Sequence, residues 1–64
     1  MFFHELFNLF DPDVKLAIDF QMQRYPYTVE DLREDFVFYE EIKDREVNAI
    51  WYSRVYDAII VEIF

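Results

Sequence analysis

The 64-residue chain has no cysteine, no glycine, one histidine and only six basic residues. Each shortage removes a class of protein. Without cysteine there are no disulfides and no thiolate metal sites. A lone His4 rules out a multi-histidine site. Without glycine there is no glycine-rich phosphate loop. Glycine also supplies the positive-φ positions of tight hairpins and helix C-caps. Its absence disfavours two-residue hairpins and predicts a helical domain, with turns built from Asp, Asn, Pro and Ser. No apolar run reaches the length of about 18 residues that marks a membrane span. The first ten residues, MFFHELFNLF, lack the positive start of a secretory signal and carry Glu5. The cytoplasm is therefore the expected compartment.

What is present is apolar, aromatic and acidic. Hydrophobic residues make up 55% of the chain, with eight Phe, five Tyr and one Trp. One domain, residues 1–64, is all the length allows. A chain this short buries only about 60% of the surface its unfolded form exposes. Fourteen aromatic rings exceed what so small an interior holds, which predicts an apolar surface patch used for interaction or oligomerisation. Fourteen acids against six bases leave a net charge of −8. That charge opposes direct binding to nucleic acid or to an anionic membrane and favours a protein partner with a basic surface.

Apolar spacing reads as helix along most of the chain. Phe3, Leu6, Phe7 and Phe10 predict a short first helix. Asp11-Pro12 reads as the start of a second, running to about Arg24 with Val14, Ala17, Ile18, Gln21 and Met22 on one face. Tyr25-Pro26-Tyr27 ends it. Thr28 is the expected N-cap of a third, over residues 29–43, with a stripe of Val29, Leu32, Phe36 and Tyr39. Residues 46–64 fit either a helix or β-branched strand, and the missing turn residues favour the helix. The expected fold is all-α, three or four helices, with an α+β domain carrying a C-terminal strand region as the alternative.

Chemistry finds little support in this pattern. Glu5 beside His4, Asp19 and Asp57 are the candidate acid–base groups, and no nucleophile arrangement accompanies them. No catalytic residue, metal or cofactor is expected. Glu30/Glu34 and Asp31/Asp35 are carboxylate pairs one helical turn apart, suited at most to weak hard-cation binding. Asp11-Pro12-Asp13 lacks the glycine of an EF-hand loop.

Binding is the sharper expectation. Residues 28–46 hold eight of the fourteen acids. On one helix, Glu30, Asp31, Glu34, Asp35, Glu40 and Glu41 would rise in steps of about 5.4 Å per turn, close to a row of DNA phosphates. Val37 and Phe38 stand among those acids as an apolar anchor with a carboxylate rim. A largely apolar C-terminal helix would need cover, which a homodimer seam through Trp51, Val55, Ile59 and Ile63 supplies.

In size, charge and aromatic content the chain looks like the small acidic proteins with which bacteriophages and mobile elements inhibit host enzymes, some of them DNA mimics. The resemblance implies a non-enzymatic inhibitor or regulator of a basic partner. The alternative is an assembly module joining subunits through aromatic surface.

Overall fold

The computed structural model describes all 64 residues, Met1–Phe64. The element order is α1 (Phe3–Phe7), β1 (Lys15–Phe20), β2 (Gln23–Thr28), α2 (Val29–Glu34), α3 (Phe36–Ile42), β3 (Val47–Ser53) and β4 (Ala58–Ile63). The strands form one mixed sheet in the order β2-β1-β4-β3. The domain is therefore α+β, and the expected all-α bundle is overturned. The first helix and the Thr28 cap stand as expected: the Thr28 hydroxyl accepts from the Asp31 N–H at 3.1 Å. The second expected helix is a hairpin, and the C-terminal one is another.

Two turns explain the difference. Gln21 and Met22 join β1 to β2 with φ of 51° and 65°, taking the left-handed region that glycine usually fills. Asp57, at φ 49°, closes the β3–β4 turn. Its carboxylate accepts from the Tyr52 hydroxyl at 2.6 Å and from Lys15 Nζ at 3.4 Å. These two donors hold the Asp57 carboxyl below its usual pKa. Absence of glycine made hairpins costly without forbidding them.

β1 and β4 form the centre of the sheet and pair in parallel, Leu16 opposite Ile59 and Ile18 opposite Val61. They turn Leu16, Ile18 and Phe20 with Ile59, Val61 and Ile63 to one face, and Lys15, Ala17 and Asp19 with Ala58, Ile60 and Glu62 to the other, where Ala17, Ala58 and Ile60 are also buried and blur the alternation of KLAIDF and AIIVEI. Such runs fit a buried helix equally well. One face carries Leu16, Ile18, Phe20, Val61 and Ile63, packed under Phe3, Leu6 and Phe7 of α1, Val29 and Leu32 of α2, and Ile42 of α3. The other face has no helix. Across it runs the row Pro26–Ala17–Ile60–Trp51, one residue from each strand. Ala17 and Ile60 are nonetheless buried, Ile60 with Trp51 beside it and Ala17 in a depression that the hairpin residue Tyr56 helps to line. The Arg24 guanidinium lies 4.9 Å over the Tyr56 ring and makes a bidentate pair with Asp19 at 2.6 and 2.8 Å. That pair raises the Arg24 pKa.

Candidate functional site

The expected single helix over residues 29–43 breaks at Asp35, which has φ −84° and ψ 74°. Asp35 caps α3, its Oδ1 accepting from the Phe38 N–H at 3.2 Å, while Oδ2 accepts from the Tyr27 hydroxyl at 2.5 Å. Burial and this hydrogen bond push the Tyr27 pKa up to about 12. The unbroken carboxylate row therefore does not exist, and Asp35 is used inside the fold. Glu30, Asp31 and Glu34 are exposed on α2, and Glu40 and Glu41 on α3. Glu40 pairs with Lys43 at 2.8 Å and raises the Lys43 pKa.

The two anchor candidates separate. Phe38 is half-buried, its ring 4.7 Å from Tyr25, 5.5 Å from Tyr27 and 6.4 Å from Phe20. It closes the core over β2 and is not a free anchor. Val37 is 80% exposed, beside the exposed Phe36. Together they give α3 an apolar tip.

The dimer seam also dissolves as a seam. Trp51 lies on the open sheet face, Val55 is exposed in the β3–β4 turn, and Ile63 is buried beneath the helices with Ile59 half-buried beside it. A helix would have lined these four up; alternating strands send them to different surfaces.

The fold partitions charge. Residues 15–28 and 47–64, the two hairpins, hold three acids and three bases. Residues 1–14 and 29–46, the helical side, hold eleven acids and three bases, the whole of the net −8. Those three bases are engaged at home. Lys43 is paired with Glu40, Arg33 lies 5.4 Å over the Phe7 ring, and Arg45 lies 4.6 Å over the Phe20 ring while donating to the Glu41 and Phe64 carbonyls. Sequence reading missed the contribution of Asp11 and Asp13. Hydrogen bonds from the Val29 N–H to the Val14 carbonyl (2.9 Å) and from the Glu30 N–H to the Pro12 carbonyl (3.0 Å) bring their turn against the start of α2. This contact is between a turn and a distant helix start, so no local period announces it.

No three His, Asp or Glu side chains are grouped to hold a metal ion, and no helix is long and apolar enough to cross a membrane. Three shallow, open depressions mark the surface; Tyr56 forms a wall of two of them. The arrangement defines a small α+β domain with an acidic helical side and a neutral sheet side. No family model, curated protein or solved structure matches the chain.

Proposed function

We propose that the protein is a non-enzymatic binding protein whose acidic helical side occupies the basic surface of a protein partner, blocking or regulating it. The observation that carries this reading is the partition of charge: the entire −8 lies on residues 1–14 and 29–46, where every base is already paired or stacked. A one-sided field of this kind steers association with a cationic surface. Glu30, Asp31, Glu34 and Glu41 are its exposed carboxylates on α2 and α3, joined by Glu40, which is paired with Lys43, and Phe36 with Val37 is the apolar tip of α3. In this reading Val37 is the anchor and Phe38 is not.

The test is capture of partners from the source cell by the tagged chain, followed by salt titration and competition with duplex DNA. Affinity should fall steeply with rising salt. Glu34→Lys with Glu41→Lys should abolish capture. If capture survives both reversals, the carboxylates are only a solvated surface. Displacement by duplex DNA would mark the partner's surface as a DNA-binding one.

A further inference from the structure

We propose that β3 is a pairing edge, and that its occupant is the β3 of a second copy of this chain. The inference does not rest on the acidic reading, because it uses the β3 edge and none of the carboxylates of α2 and α3.

The two sheet edges are treated differently. β2 carries Pro26, which cannot donate to a neighbouring strand, together with the charged Arg24. Those are ordinary protections against edge pairing. β3, VNAIWYS, has neither proline nor charge. The N-terminal segment covers only its beginning: the Val47 N–H donates to the Met1 carbonyl at 2.8 Å, and the Phe3 N–H to the Arg45 carbonyl at 2.9 Å. From Asn48 to Ser53 the backbone makes no hydrogen bond except with β4. Its outward N–H and C=O groups form an open template. Along this stretch Ile50, Trp51 and Tyr52 are 45%, 41% and 58% exposed.

Charge selects the occupant. Residues 48–53 bear no charge, and the hairpins together are neutral. Nothing here draws in a basic or acidic segment; a second neutral, apolar edge is the complement, and the chain itself carries one. Two-fold symmetry requires the strands to pair antiparallel and each helical face to continue into the other. Opposed residues then share a face, which allows Trp51 to meet Trp51 of the second copy on the axis. Ile50 lies opposite Tyr52 of the second copy, and Tyr52 opposite its Ile50. Aromatic pairs with β-branched residues are favourable cross-strand neighbours. The result is a continuous eight-stranded sheet. A six-residue edge is small beside the roughly 800 Å² per partner of a stable interface. The dimer therefore dissociates on dilution.

The test is sedimentation of the intact chain over a range of concentrations, with emission of its single tryptophan followed alongside. The expected result is a monomer–dimer equilibrium in which Trp51 emission shifts to the blue as dimer forms. Raising salt should strengthen the dimer by screening the −8 charges, the reverse of its effect on a basic partner. Ile50→Lys should abolish the dimer with far-UV circular dichroism unchanged, and Val55→Lys, in the turn, should leave it intact. Amide hydrogen exchange covers the case in which Ile50→Lys fails to fold: in the unmodified chain, outward amides among residues 48–53 should slow as concentration rises. A chain that remains monomeric at NMR concentrations, or a dimer whose 48–53 amides are indifferent to concentration, overturns the proposal.

Discussion

The Tyr27 hydroxyl donates to the Asp35 carboxylate at 2.5 Å, tying edge strand β2 to the joint between α2 and α3. Asp35 also caps α3 through the Phe38 N–H. One carboxylate thus sets where the helix breaks and how the second half lies on the sheet. Tyr27→Phe should cost about 1.5 kcal/mol, the low end for a hydrogen bond to a charged group because the site is only half-buried. Asp35→Ala should cost more, since it adds loss of a cap worth about 1 kcal/mol. Urea denaturation of the two variants checks the order; equal costs would mean that the cap contributes nothing.

The same bond makes the fold sensitive to alkali. Burial and the Asp35 hydrogen bond raise the Tyr27 pKa from 10.0 to about 12. A raised pKa means that the folded state holds its proton more tightly than the unfolded state. The stabilisation is fully present below pH 10 and is lost as pH rises toward 12. Stability measured across this window should fall for the unmodified chain and fall less for Tyr27→Phe.

The β1–β2 turn holds two residues in the left-handed region, where a side chain costs roughly 1–2 kcal/mol. Met22 is fully exposed, so little packing is lost by removing its side chain. Met22→Gly should raise stability by about 1 kcal/mol, a melting shift of roughly 4–8 °C for a domain of this size. A lower melting temperature would show that Met22 makes a contact that matters.

Ile60 is 0% exposed although it lies on the sheet face with no helix. Its neighbours on that face are Trp51 on β3 and Ala17 on β1, and Tyr56, held under Arg24, lines one depression with Ala17 and Ala58. Ile60→Ala should cost about 2–5 kcal/mol, as in a helix-covered core. Tyr56→Ala should cost less while raising hydrogen exchange in the middle of β4. If Ile60→Ala costs no more than a surface change, this face is open to water.

Residues with a polar side or an unambiguous cap were legible from the chain alone. Phe3, Leu6 and Phe7 against Glu5 and Asn8 define α1, and Thr28 ahead of Asp31 starts α2. The surplus of rings foretold that some would be exposed, as Phe2, Phe36, Trp51, Tyr52, Tyr56 and Phe64 are. Asp35 was visible as an acid in a row and not as a cap, because the Tyr27 hydroxyl that holds it comes from another element.

By itself the sequence determined the balance of charge, the lack of disulfides and thiolate ligands, and the local helix starts, all of which depend on residue identity or on neighbours three and four apart. Only the tertiary structure decided that residues 15–28 and 47–63 are hairpins of two strands each. KLAIDF and AIIVEI lie in the middle of the sheet, and buried Ala17 and Ile60 on its second face blur the alternation that Leu16, Ile18, Phe20 and Ile59, Val61, Ile63 follow, so the period of such short apolar runs does not decide between helix and strand. What makes them strands is their parallel pairing, Leu16 with Ile59 and Ile18 with Val61, between segments at opposite ends of the chain. That pairing also sends Ile63 inward and leaves the edge of β3 open, because alternation across a sheet, unlike a helical stripe, sends neighbouring side chains to opposite faces.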